Sequence, residues 1–255
     1  MLSLTQLLMS QANPIAGGPE PGPSTPEIAP SRRGFLVSSL AGGALSAGLF
    51  AGMARGDDGD NDQDDRTTSP SKTRAEIARL ERAFIGELRT TFKAIQKHEN
   101  DHVAFLKGAL GSKARPKPDF TGLEQSTLLD FILVSKAFEN TGVGAYLGAA
   151  PHIKSRDYLA AAGSIMTVEA RHAGFINVTL SLPIVPGGRS FDQPLTPVEV
   201  DNAVKPFVAD LDGGPPLTYS NTPSDANDIV ILNFALALEY LEAAFYNINV
   251  PKFFP

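Results

Sequence analysis

No cysteine occurs anywhere in the 255 residues. Disulfide partners, thiolate metal sites and cysteine nucleophiles are therefore excluded, and any metal must be held by oxygen and nitrogen donors. Basic residues are also short: 22 Lys and Arg face 28 Asp and Glu, a net charge of −6. The excess acid is local. Residues 55–66 carry six Asp against two Arg, a net of −4, while residues 1–54 sum to zero, which leaves −2 for the chain from residue 67 onward. Without a basic field, nucleic acid is not an expected partner. Nor is there a Ser-His-Asp grouping or a glycine loop of the kind that cradles phosphate. What is present, 42% hydrophobic residues and 20% charged, suffices for one good-sized core once a leader is set aside.

Ser31-Arg32-Arg33-Gly34-Phe35-Leu36 opens an uncharged stretch rich in Ala, Gly and Leu that runs to Ala54. It resembles a twin-arginine export signal. A single membrane-spanning helix is the alternative, since about 20 apolar residues span a bilayer. The many Gly and Ser residues make the stretch only mildly hydrophobic, which favours a signal. The expectation is export to a periplasmic or extracellular location, with cleavage after Ala54 compatible but weakly matched. The protein would stay on a membrane only if the leader were retained. The run Asp57 to Asp65 faintly resembles a calcium loop, but Gln63 stands where that loop needs glycine and no glutamate closes it. It reads as a solvated, disordered linker. The expected organisation is a signal region at 1–54, an acidic linker at 55–70 and a helical domain at 71–255.

Within that domain the hydrophobic spacing predicts four main helices. The first runs from Ser69-Pro70 to Leu110, with Phe92, Ile95, Val103, Leu106 and Leu110 on one side and Gly111 ending it. At 1.5 Å per residue it would reach roughly 55–60 Å, so its first half is expected to project, or to bend near Gly86. The second covers about 125–147 and the third about 155–182. A long segment rich in Pro and Gly follows, with room for one short helix over 196–209, Pro197 at its first turn. The last helix starts at Ser224 or Asp225 and reaches about Asn247.

Four carboxylates and two imidazoles fall on the apolar stripes of these helices. Glu99 and His102 are three residues apart, as are Glu169 and His172, so each pair points one way. The two pairs and their apolar neighbours repeat at a constant offset of 70 residues. The other two helices repeat as well: Glu139 and Tyr146 answer to Glu239 and Tyr246, each tyrosine two turns past its glutamate. A phenylalanine, Phe105 or Phe175, follows each Glu-x-x-His pair. One Glu-x-x-His is weak evidence. Two on core-facing stripes, joined by two inward glutamates, describe a four-helix bundle with internal two-fold character around two metal ions. Buried carboxylates and imidazoles are costly unless compensated, and this hard-to-borderline donor set suits iron or manganese. A metal-free, salt-bridged core is the competing reading.

These motifs resemble the ferritin-like di-iron carboxylate proteins and, more narrowly, the secreted ferritin-like group that includes plant desiccation-related proteins. Residues 233–246, 98–106 and 145–151 carry the resemblance, which spans roughly 90–247. It implies an all-α, ferritin-like four-helix bundle in which Glu99 and Glu169 bridge the metals. Glu139 and Glu239 would be terminal ligands, and His102 and His172 would bind one metal each. In that family the helix at 233–246 comes first, whereas here it comes last, so the order looks circularly permuted. A connection of about 40 residues easily crosses a bundle at about 3.3 Å per residue, which favours closure within one chain over a swapped dimer. Monomer and homodimer both stay open.

Single residues carry alternatives of their own. Glu242, one turn past Glu239, could be the ligand in its place or could accept hydrogen bonds nearby. Tyr146 and Tyr246 could hydrogen-bond the terminal carboxylates, supply electrons, or be ordinary core tyrosines. His98 and His152 lie off the stripes and read as surface residues or as neighbours of the site. The function expected is an exported dinuclear metal protein acting on oxygen, peroxide or ferrous iron in stress protection. A non-catalytic protective bundle with a vestigial or purely structural site is the alternative, and iron storage in a cage a weaker third.

Overall fold

The computed structural model describes residues 70–255. The expected export signal, the acidic run and the boundaries at 54 and 70 lie outside the described residues. Five α-helices are present among those described: α1 (Pro70–Leu110), α2 (Leu128–Ala149), α3 (Arg156–Thr179), α4 (Pro197–Val204) and α5 (Asp225–Phe253). α1, α2, α3 and α5 form the bundle, and the fold is all-α apart from one short strand pair.

Side-chain caps set most of the helix starts. Thr127, Ser155 and Ser224 each accept a hydrogen bond from a backbone N–H three residues on, and Thr196 closes a full capping box with Glu199. The cap at Thr127 moves the start of α2 to Leu128, three residues later than the spacing predicts. Gln125, placed inside that helix from sequence, instead folds its side chain back on the carbonyls of Gly122 and Leu123. α3 stops at Thr179, where Leu180 and Ser181 turn the chain, rather than at 182. α5 runs past Asn247 and through Pro251 to Phe253. Proline costs a helix one N–H, but aromatic packing offsets it. Phe254 stacks on Phe92 with centroids 5.5 Å apart, and Phe253 on Phe131 at 5.6 Å. α1 is one continuous helix through Gly86. No described residue before Leu88 is buried, so its N-terminal part lies outside the core.

The helices pack as two pairs. α2 and α3 form a hairpin across a short turn at Ala150–His152. α5 runs antiparallel along α1, with Phe92 beside Phe254 at one end and Arg115 beside Asn233 at the other. Polar side chains of α5 fasten the connections. Asn233 and Asn249 hold the segment between α1 and α2 through Arg115 N–H, Lys113 C=O, Gln125 N–H and Leu123 C=O. Asp228 accepts from the N–H groups of Lys154 and Ser155. In composition and length α5 could cross a bilayer, but it is mostly buried here by its neighbours, as a helix apolar all round must be.

The long connection before α5 is laid against the bundle. A short antiparallel pairing joins β1 (Asp119–Phe120) to β2 (Val208–Asp210), an element absent from the helical reading of the sequence. Leu195 N–H donates to Gly144 C=O at 2.9 Å. A Cβ on Gly148 would fall 2.0 Å from the Leu195 carbonyl oxygen, so only glycine lets these backbones meet. Two apolar clusters result, one around Phe92, Phe131, Phe138 and Phe245, the other around Leu106, Ile165, Leu232 and Leu236. The polar residues of the four helices lie between them.

Candidate metal centre

Each bundle helix interrupts its apolar stripe at the same level. On α1, Glu99 and His102 lie between Ile95 and Leu106; on α3, Glu169 and His172 lie between Ile165 and Ile176. α2 and α5 bring Glu139 and Glu239 to that layer from opposite sides. All four glutamates are at most 1% exposed, and such burial of carboxylates demands compensation.

The side chains gather into two groups: Glu99, His102, Glu169 and Glu239, and Glu99, Glu139, Glu169 and His172, with the potential donor atoms of each within 4.8 Å of one another. Glu99 and Glu169 belong to both. His102 Nδ1 lies 3.1 Å from Glu169 Oε1, 3.2 Å from Glu239 Oε2 and 3.3 Å from Glu99 Oε2. His172 Nδ1 lies 3.1 Å from Glu99 Oε1, 3.1 Å from Glu139 Oε2 and 3.9 Å from Glu169 Oε2. Glu99 thus turns one oxygen to each histidine, and so does Glu169. The outer oxygens of the other two glutamates are taken by tyrosines from across the bundle. Tyr146 on α2 donates to Glu239 Oε1 at 2.6 Å, and Tyr246 on α5 donates to Glu139 Oε1.

An imidazole nitrogen offers one proton or one lone pair. Here each Nδ1 faces three carboxylate oxygens, more than one proton can serve. Glu99 Oε1 and both oxygens of Glu169 are buried without a hydrogen bond. Donors about 2.0–2.2 Å from one cation stand about 3 Å from each other, which is the spacing of most of these contacts. The residues present therefore fit a metal ion in each group.

The charges agree. Burial, reinforced by Glu169, pushes Glu99 up to about 7. Burial and the charge of Glu139 hold Glu169 well above the usual carboxyl range. Burial and Glu169 do the same to Glu242. Burial opposes charge on the imidazoles too, but the surrounding carboxylates overwhelm it: His102 is pushed up to about 12 and His172 to about 11. Too much negative charge lies in too little water, and protons carry the compensation in the metal-free protein.

Against this geometry, a family model described as a ferritin-like domain matches residues 59–182. The chain carries a ferritin-like domain. The matched span takes in α1, α2 and α3 and stops in the turn after α3, short of α5 with Glu239 and Tyr246. No curated protein and no solved structure matches the chain.

The six residues singled out from the sequence of this ferritin-like domain all reach one layer. The tyrosines bind carboxylates, each on the opposite repeat rather than on its own helix. Glu239 belongs to one of the two groups and Glu242 to neither, though both are buried there. The counterpart of Glu242 in the repeat is Gly142, where a Cβ would lie 3.4 Å from Glu242 Oε1 and 3.5 Å from Glu169 Oε2. The two phenylalanines part company: Phe105 is half exposed, whereas Phe175 meets Phe92 edge-on. His152 caps the Asn221 carbonyl away from the site. His98, off the stripe, nevertheless touches His172, a contact with no sequence signal beyond its place next to Glu99.

Proposed function

We propose that this ferritin-like domain holds two divalent cations, iron or manganese, and works as an oxidoreductase on oxygen, peroxide or ferrous iron. The observation that carries the reading is the sharing of Glu99 and Glu169 between two histidine-centred groups. Held by Glu99, Glu169 and the histidines, two such cations would supply redox chemistry toward oxygen or peroxide. The residues around them do the rest. Glu139 and Glu239 close the two ends, and the tyrosine hydroxyls hold those carboxylates so that one oxygen of each faces inward. The flanking apolar clusters keep bulk water from the layer. Oxygen and nitrogen donors without thiolate favour iron and manganese over softer ions.

The helix order fits the same reading. α5 packs along α1 as the fourth helix of the bundle and lies beyond the end of the family match, which supports a permuted order. We take the order as permuted, with α5 and α1 forming one half and α2 and α3 the other. The stretch from Ser31, which resembles a twin-arginine signal, supports export, and redox chemistry of this kind would suit stress protection outside the cytoplasm.

A metal-free protective bundle is the second reading. The observation favouring it is that two imidazolium ions already pair with the carboxylates. Metal analysis after loading separates the two. Two iron or manganese ions per chain, lost on replacing Glu99 and Glu169 with alanine together with iron oxidation or peroxide consumption, support the redox site. Fewer than one ion per chain with metal supplied refutes it.

A further inference from the structure

The repeat relating α1 to α3 holds at the donors and fails one residue before them. His98 precedes Glu99, while the residue 70 positions on is Val168. His98 Nδ1 lies 2.9 Å from His172 Nε2, and the rings stack with centroids 5.2 Å apart and planes 8° apart. His172 meanwhile turns Nδ1 to Glu99 and Glu139.

A neutral imidazole has one N–H and one lone pair. For His172 to offer its Nδ1 lone pair to a cation, its hydrogen must sit on Nε2, and that N–H needs an acceptor. His98 Nδ1 is the acceptor, with its own hydrogen on Nε2. The stacked contact fixes both the tautomer and the plane of His172. His102 has no such help. Among the described residues every hydrogen bond and ion pair of His102 runs through Nδ1, and Val168 can accept nothing. His102 also keeps 12% of its side chain exposed, against 6% for His172. Partners of the far ring nitrogen typically change metal affinity by about 10–100-fold.

We propose that His98 is a positioning residue that makes the two metal positions unequal: by locking His172 with Nδ1 toward the carboxylates, it renders the position at Glu99, Glu139, Glu169 and His172 the tighter of the two. The proposal rests on the two-cation reading above and adds an order of filling to it.

The test is a titration of chelator-stripped protein with cobalt(II), read by visible absorption and by competition with a chromophoric chelator. Wild type should take two equivalents in two steps separated by at least about tenfold. His98→Val, the residue of the other repeat, should weaken the tight step by about 10–100-fold and leave the weak one in place, so that the steps converge. The absorption of the first equivalent should change with it. His98→Asn, whose amide oxygen takes the place of Nδ1, should restore the separation. Should the valine variant fail to fold, His98→Ala is read in its stead. Two steps within about twofold of wild type in the valine or alanine variant, with both equivalents still bound, overturn the role of His98 alone. Wild type that binds no cobalt overturns the two-cation reading and this proposal with it.

Discussion

Glu99→Gln separates the cost of a buried carboxyl from its use. Glutamine keeps the shape of the protonated acid and cannot ionise. In the metal-free protein, burial and Glu169 raise Glu99 from 4.5 to about 7. The folded chain therefore holds this proton more tightly than the unfolded chain does. The resulting penalty is absent below about pH 4.5, grows between, and is complete above about pH 7. At about 1.4 kcal/mol per pKa unit it comes to about 3 kcal/mol. For a domain of this size, that is a shift in Tm of about 6–12 °C. With chelator present at about pH 8, Glu99→Gln should melt that much above wild type, and the difference should vanish near pH 4.5. Loading reverses the ranking. A cation at a hundredfold excess over its Kd adds about 2.7 kcal/mol to wild type, whereas the amide supplies neither group with an anionic oxygen and the variant gains little. Thermal unfolding followed by circular dichroism, with and without manganese, reads both effects. A variant that melts at or below wild type in chelator at about pH 8 refutes the electrostatic accounting. A manganese-induced rise equal to that of wild type refutes Glu99 as a donor.

The metal-free fold should lose stability as pH rises, because the raised pKa of Glu99 costs stability through its window to about 7, and the imidazolium ions of His102 and His172 lose theirs as pH climbs through about 11–12. The rise in Tm on adding manganese should accordingly be larger at pH 8 than at pH 5, since cations then displace fewer protons; an equal rise at both refutes this. Tyr146→Phe and Tyr246→Phe should each cost about 1.5–3 kcal/mol, the worth of a buried hydrogen bond to a charged group, and by symmetry should weaken metal binding at opposite ends of the site. Unfolding in urea and metal titration check both. Gly148→Ala should destabilise by about 1–3 kcal/mol, because the new methyl meets a backbone carbonyl at 2.0 Å that cannot rotate away; a neutral result would mean that the connection is not held against α2.

The clustering of these six side chains was legible because helical spacing and internal repetition act together. Glu99 and His102 share a face by spacing alone, and the offset of 70 residues to Glu169 and His172 removes the ambiguity of a single pair. The same repetition located Glu139 and Glu239. What escaped were contacts between helices. Nothing in the spacing of Tyr146 says that it reaches Glu239 rather than Glu139, because that depends on how α2 crosses α5. His98 was off the stripe of α1 and yet inside the site, because a face that looks outward on one helix can still meet the edge of its neighbour. The strand pairing of Asp119–Phe120 with Val208–Asp210 joins segments far apart in sequence, and such short elements leave no periodicity to read. α5 continues past Asn247 and through Pro251 because the aromatic packing that holds its end is tertiary.

The donors divide between the halves in an instructive way. The half made of α1 and α5 brings Glu99, His102 and Glu239, three members of one group, and the half made of α2 and α3 brings Glu139, Glu169 and His172, three members of the other. Each half completes the opposite group by lending one glutamate. The tyrosines cross in the same sense, Tyr146 to Glu239 and Tyr246 to Glu139, and His98 adds a further crossing contact to His172. Neither half alone assembles a full group, so the site exists only when the halves dock. The glutamates that must repel one another in the dry layer are the same ones that two cations would bind. Docking without cations is then opposed by that repulsion and docking with them is driven by its removal. On this logic metal loading would tighten a bundle that protons already allow to close, and the long connection lets α5 reach its place beside α1 although it comes last in the chain.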